Sequence, residues 1–219
     1  ERYRSPVIVL ADEVVAHTRE SVTLPTDEEI EVEERIRPSV PPEWYSPYRD
    51  PGTGIPPMAA FGDGYRFHVT GLMHDINGFP TERQDETEEL MARLFNKVSK
   101  DFHLLQWFDS YFEEEAEVMV IAYGSVARSA LSAVRTARER GLPVGLLKLK
   151  MLWPFMRRTV SHYLQSSRSV IVAEMNMGQL SREVKRVNQG TCSVNTLNRV
   201  DGRMITPEQI LAAIEEELG

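Results

Sequence analysis

The sequence predicts an α/β fold: a doubly wound, mainly parallel sheet with helices on both faces. Two observations carry this. Three short apolar runs, Val118–Ala122, Val144–Leu149 and Val170–Ala173, alternate with helix-length segments between 117 and 187. Turn signals bound each run, as expected of strands buried on both faces and joined by helical crossovers.

The first crossover follows Gly124-Ser125. Apolar residues recur at Val126, Ala130, Val134 and Ala137, while Arg128, Arg135, Arg138 and Arg140 take other faces, and Gly141 with Pro143 ends the run. The second starts at Trp153-Pro154, with Val160, Tyr163 and Leu164 facing inward. A third opens near Gly178 and continues from Ser181 to Val187, before a fourth strand over Val194–Val200 and a turn at Asp201-Gly202. Thr206-Pro207-Glu208-Gln209 reads as a capping box with proline at the first helical position. Ile210, Leu211, Ile214 and Leu218 give the last helix its apolar stripe.

Upstream the character differs. Val7–Leu10, after Pro6, reads as a buried strand and Asp12 to Glu20 as a short helix with acids at its positive end. A lone strand cannot satisfy its backbone, so this βα piece looks like the end of another domain. Residues 25–57 open on an acidic run and continue through eight prolines from Pro25 to Pro57, which argues for a connector. Trp44, Tyr45 and Tyr48 make it an ordered arm that packs down or meets a partner. Tyr65–Val69 reads as a strand, followed by His74-Asp75 and an Asn77-Gly78 turn. From Asp85 to His103, Leu90, Met91, Leu94, Phe95, Val98 and Phe102 recur at helical spacing, with Glu86, Glu88 and Glu89 early and Lys97 and Lys100 late, complementing the helix dipole.

Composition narrows the function. With 219 residues and 42% apolar content there is material for a real core, and a formal net charge of −8 argues against nucleic acid and anionic membrane as partners. The single Cys192 can form no internal disulfide and cannot by itself hold a cluster or a thiolate zinc site. No apolar run approaches the roughly 20 residues of a membrane helix, and the start of the chain lacks a signal-peptide pattern. A soluble, cytoplasmic protein is expected.

Ligands of open parallel sheets lie beyond the carboxyl ends of the strands. There, Gly124-Ser125 and Gly178-Gln179 each open a helix whose N–H groups can hold an anion. Most such turns are empty in doubly wound domains, so the assignment is a candidate only. Glu174, at a strand end, either pairs across a subunit boundary or caps a neighbouring helix. His68, His74 and Asp75 match no compact metal-ligand spacing and read as structural. Gly62-Asp63-Gly64, with Asn96 about thirty residues on, has the outline of a diphosphate–magnesium motif. However, Pro56–Phe61 is a poor strand to aim a carboxylate, and Asn96 falls within a helix, so the segment reads as a loop. No Walker loop, nucleophile elbow, full dinucleotide fingerprint or metalloprotease helix is present.

Several blocks in order do resemble a family. SPVIVLADEVVAHTRE, FGDGYRFHVTGLMHDINGFPT, AYGSVARSALSAVRTARERG, LKLKMLWPF and VAEMNMGQLSREVKRV are similar to successive blocks of the alpha subunit of 2-oxoacid:ferredoxin oxidoreductases, 2-oxoglutarate type. Ile76, Met151 and Met156 stand where that family commonly has an acid and two prolines. The resemblance implies a division into the last strand and helix of a thiamine pyrimidine-binding domain (1–24), a proline-rich arm (25–64) and a transketolase C-terminal-like α/β domain (65–219). It also implies oxidative decarboxylation of a 2-oxoacid to an acyl-CoA, with electrons passed to ferredoxin. Thiamine diphosphate, magnesium and an iron–sulfur cluster are implied for the assembled hetero-oligomer, with the diphosphate–magnesium motif and cluster cysteines on the beta subunit. This portion would carry no catalytic or cofactor-binding residue and would serve assembly, with Trp44, Tyr45, Tyr48, His74, Asp75 and Glu174 as candidate interface positions. Two other readings remain: a stand-alone α/β module binding a small anion at the strand-end turns, and a subunit-interaction module.

Overall fold

A computed structural model describes residues 1–190 and 192–219. They form two compact units: the first comprises Glu1–Ile8 and Ser21–Leu104, the second Val9–Glu20 and Leu105–Gly219. In chain order the regular elements are α1 (Glu13–His17), α2 (Gln84–Ser99), β1 (Phe108–Tyr111), β2 (Val118–Tyr123), α3 (Val126–Glu139), β3 (Val144–Leu149), α4 (Arg157–Ser166), β4 (Ser169–Glu174), α5 (Gln179–Val187), β5 (Ser193–Asn198) and α6 (Pro207–Leu218). Only α2 belongs to the first unit.

The second unit is built on a five-stranded sheet of order β1-β3-β2-β4-β5. β2 pairs in parallel with β3 (Val118 opposite Val144) and with β4 (Val118 opposite Ser169), and β4 with β5 (Ser169 opposite Ser193). Alternation along β2 then decides the layers. Val118, Val120 and Ala122 face a core shared with Val126, Ala130, Val134 and Ala137 of α3 and Ile210 and Ile214 of α6. Met119 and Ile121 face the opposite core, with Val160 and Leu164 of α4 and Leu180 and Val184 of α5. Both faces are therefore covered, which is why these strands read as continuous apolar runs. Each large side chain so buried contributes about 1.5–3 kcal/mol. Gly145 of β3 is required by close approach: a Cβ there would lie 2.5 Å from Met119 Sδ and 2.8 Å from the Phe112 carbonyl oxygen.

Several expectations need correction. Val7–Leu10 forms no strand and its side chains are between 68% and 88% exposed. β-branched residues alone do not make a strand without a neighbour to bond. The same applies to Tyr65–Val69, which has no regular structure. α1 is shorter than Asp12–Glu20, because Thr18 turns to an extended conformation. α4 starts at Arg157, after a cis Trp153-Pro154 bond, rather than at that dipeptide. α2 ends at Ser99, and its buried positions are Leu90 and Lys97, while Phe95 is exposed. β1 was not expected. It runs antiparallel to β3, with Phe108 opposite Leu149, and Asp109 sits between Lys148 (3.4 Å) and Lys150 (2.5 Å).

The first unit has little regular structure beyond α2, and side chain to backbone bonds organise it. The Arg4 guanidinium donates to the carbonyls of Pro47 (3.2 Å) and Pro56 (2.8 Å), and the Tyr45 hydroxyl donates to the Pro57 carbonyl (3.2 Å) and accepts from Ala59 N–H (3.1 Å). Proline-rich backbone offers carbonyls without matching N–H groups, so donors on side chains fill the deficit.

Candidate functional site

The carboxyl ends of β2 and β4 are where a sheet of this kind would take a ligand. At the end of β4 the chain enters α5 through Asn176, Met177 and Gly178, the last at φ +89. Four successive N–H groups there point toward the strand end. The Asn176 side-chain oxygen accepts from Gly178 (2.8 Å) and Gln179 (3.0 Å). The Glu174 carboxylate accepts from Leu180 (2.9 Å) and Ser181 (2.9 Å). Glu174 is completely buried. The positive end of α5 thus already holds an anion, supplied six residues upstream.

At the end of β2, Gly124 takes φ +58 and Ser125, 4% exposed, precedes α3. Here the occupant comes from far away in sequence. Asp12 caps α1 by accepting from Val15 N–H (2.9 Å), and the polar groups of Ser125 act on the same carboxylate. Burial pushes the Asp12 carboxyl up, but the bonds from Ser125 and from the Val15 and Val14 N–H groups outweigh it and hold the group below the usual carboxylate range.

These arrangements bear on both candidate turns. The N–H groups of the Gly178-Gln179 turn are taken by Asn176 and Glu174 rather than left to an external anion, and Asp12 lies close enough to the Gly124-Ser125 turn for Ser125 to act on its carboxylate. Of the two roles open to Glu174, the geometry shows the helix cap, and a fully buried side chain offers nothing to a partner. The reading of this chain as a stand-alone anion-binding module at the strand ends thereby loses the Gly178 turn as a site. Asp12 escaped the sequence reading, which took it only as a charge near its own short helix.

The remaining candidates lie in the first unit. His74 stacks on Tyr48 with ring centroids 3.8 Å apart, and its Nδ1 lies 2.9 Å from the Asp75 carbonyl oxygen. Asp75 folds the Asn77-Gly78 turn, its carboxylate accepting from Asn77 (2.8 Å) and Phe79 (3.0 Å). His68 Nδ1 lies 2.6 Å from the Gly78 carbonyl oxygen, so both histidines brace one turn. Tyr45 is tied into the arm, and Trp44 alone of the three arm aromatics is mostly exposed. The Gly62-Asp63-Gly64 loop is committed locally: Asp63 pairs with Arg37 (3.0 Å) and accepts from Ala60 N–H (3.2 Å). Among the described residues, no three His, Cys, Asp or Glu side chains converge as metal ligands. The same residues contain no helix long and apolar enough to cross a membrane.

Residues 116–210 match the family described as pyruvate:ferredoxin oxidoreductase core domain II, and residues 1–93 match the thiamine-diphosphate-binding part of pyruvate flavodoxin/ferredoxin oxidoreductases. Among curated proteins, the chain is 40% identical over 215 residues to 2-oxoglutarate synthase subunit KorA of Methanothermobacter thermautotrophicus, covering 98% of this chain and 57% of that one. It is 38% identical over 218 residues to the subunit of the same name from Archaeoglobus fulgidus, covering 99% and 54%. The chain therefore spans about half the length of the curated relatives it matches. Among solved structures it is similar to 2-oxoglutarate:ferredoxin oxidoreductase from Magnetococcus marinus, which carries 2-oxoglutarate, coenzyme A and succinyl-CoA. The TM-score is 0.79 at 26% identity, covering 89% of this chain and 34% of that one. With both halves of its sequence matched in order and identity near 40% along its whole length, this chain belongs to the family of 2-oxoacid:ferredoxin oxidoreductase alpha subunits.

Proposed function

We propose that this chain is part of the alpha subunit of a thiamine-diphosphate-dependent 2-oxoglutarate:ferredoxin oxidoreductase, and that it serves structure and assembly rather than chemistry. The similarity to 2-oxoglutarate synthase subunits along 98% of the chain carries the first half of this reading. The second half is supported by the strand ends, where the positions that would receive a diphosphate are engaged by Glu174 and Asp12. Residues 1–24, 25–64 and 65–219 then serve as the end of a pyrimidine-binding domain, a connecting arm and a transketolase C-terminal-like domain.

The described residues do not fit the magnesium or the iron–sulfur cluster of the family. Among the described residues no carboxylate cluster suits magnesium, Asp63 is paired with Arg37, and one cysteine cannot hold an iron–sulfur cluster. Their ligands are assigned to the beta subunit, which in the assembled enzyme also brings in ferredoxin and coenzyme A. Exposed Trp44 is the position on the arm best suited to meet that subunit.

The test is dye reduction. The chain alone should give no 2-oxoglutarate-dependent reduction of a viologen, while the complete alpha–beta enzyme should. Turnover by the isolated chain would refute the structural role. An assembled enzyme that turned over pyruvate but not 2-oxoglutarate would refute the substrate.

A further inference from the structure

The first unit holds a half-open cavity of about 180 Å³ whose walls include Arg4, Tyr48, His74, Leu90, Arg93 and Lys97. Leu90, Arg93 and Lys97 are spaced at three and four residues along α2, so they share one face. The stacked Tyr48 and His74 rings form another wall, and the Arg4 guanidinium lies 5.6 Å from the Tyr48 ring centre. Gly54 closes the cavity over Lys97. It sits at φ +82, and a Cβ there would stand 3.2 Å from Lys97 Cβ.

Three cations share this space with too little negative charge to balance them. Lys97 is 6% exposed, and its ammonium spends one donor on the Arg4 carbonyl (3.0 Å). Arg93 is half-buried and, among the described residues, forms no ion pair. Asp50 and Glu89 act on it only through space. The Asp50 carboxylate is already bonded to the N–H groups of Gly52 and Gly54, both at 2.8 Å. Burial first, and then the neighbouring guanidinium groups, pull the Lys97 ammonium below its usual range. Like charges held partly out of water are costly unless an anion joins them.

We propose that this cavity binds a small, multiply charged oxyanion of the phosphate type, gripped by the Arg93 fork and the Lys97 ammonium with Arg4 behind them. A planar guanidinium with unused donors suits bidentate recognition of such a group, and a compact ammonium adds a point charge. The volume admits a phosphate with room to spare. An esterified phosphate would place its remainder in that extra room, against the apolar Pro56 and Leu94 of the lining. This inference stands apart from the functional reading above.

Equilibrium dialysis of the chain against radiolabelled orthophosphate, at low ionic strength in chloride buffer, tests it. One saturable site per chain is expected, weakened about tenfold or more by Arg93→Gln and by Lys97→Met. Arg158→Gln, on an exposed helix face elsewhere, should leave binding unchanged. Displacement by glycerol 3-phosphate at lower concentration than by orthophosphate would identify an ester as the preferred form, and the reverse order the free ion. Circular dichroism checks that each variant is folded. Should Arg93→Gln fail to fold, Arg93→Lys keeps the charge, removes the fork and is expected to weaken binding about threefold. Absence of saturable binding up to about 10 mM phosphate, or wild-type affinity in a folded Arg93 variant, would overturn the proposal.

Discussion

The two filled helix ends are chemically alike and structurally opposite. Glu174 reaches α5 from six residues upstream, is completely buried and spends both oxygens on backbone N–H groups. Asp12 reaches the start of α3 across more than a hundred residues, is only partly buried, and caps α1 while Ser125 acts on the same carboxylate. The first is a property of one turn and the second a tether between distant stretches of one unit. A buried carboxylate answered only by N–H groups has no water to fall back on, so its loss should cost more than that of an exposed cap.

Glu174→Ala is expected to be the largest effect. It strands two buried N–H groups and leaves a void, for a loss of about 3 kcal/mol and a fall in Tm of roughly 6–12 °C by thermal melt. Glu174→Gln should fall between this and wild type, because an amide oxygen can serve one of the two N–H groups while its NH2 faces the other. A melt of Glu174→Ala within a degree of wild type would remove the distinction between the two ends.

Gly178→Ala comes next. The backbone there is left-handed, and the added carbon would lie 2.8 Å from Ser181 Oγ, itself bonded to the Gly178 carbonyl (3.0 Å). A cost of about 1–2 kcal/mol is expected in denaturant unfolding. A stabilised variant would mean that the turn is not held as described.

Asp12→Ala should be the smallest, about 1 kcal/mol, as for an ordinary helix cap. Its pH dependence sharpens the contrast. Asp12 titrates below its ordinary value when folded, so the stabilisation it gives is complete above the unfolded-state value and is lost as pH falls through the lowered folded value. In Asp12→Asn that component of acid destabilisation should be absent from melts recorded below pH 5. An acid limb identical to wild type would deny Asp12 its role.

The sequence made one of these ends half visible and the other not at all. Gly178 after an apolar run announced a turn into a helix, and Glu174 beside it was open to a capping role, because both act within one local segment. Nothing near Asp12 points to Ser125; only folding brings them together. The same distinction explains the rest of the fold. β2, β3 and β4 were legible because burial on both faces demands unbroken Val, Ile and Leu, and α6 because Thr206 and Gln209 write their cap in four letters. β1 was not, since an edge strand reading Phe-Asp-Ser-Tyr depends on its partner, and the one available hint was Asp109 facing Lys148 of β3 and Lys150 just past its end. Val7–Leu10 and Tyr65–Val69 erred in the other direction, with strand-like composition and nothing to pair with. Lys97 was taken as a charge complementing a helix end, although its distance of seven residues from Leu90 places it on the buried face.

The sheet also limits what can be added to it. On one side it stops at four residues of β1, laid antiparallel with an aspartate clasped by two lysines. On the other it stops at β5, whose Ser193-Val194-Asn195-Thr196-Leu197-Asn198 interleaves small polar groups with its few apolar ones. Neither margin offers the long flat apolar strip on which a foreign strand would zip up. A strand added at either margin would meet the paired Asp109 or the asparagines and serine of β5, so the edges themselves disfavour indiscriminate pairing.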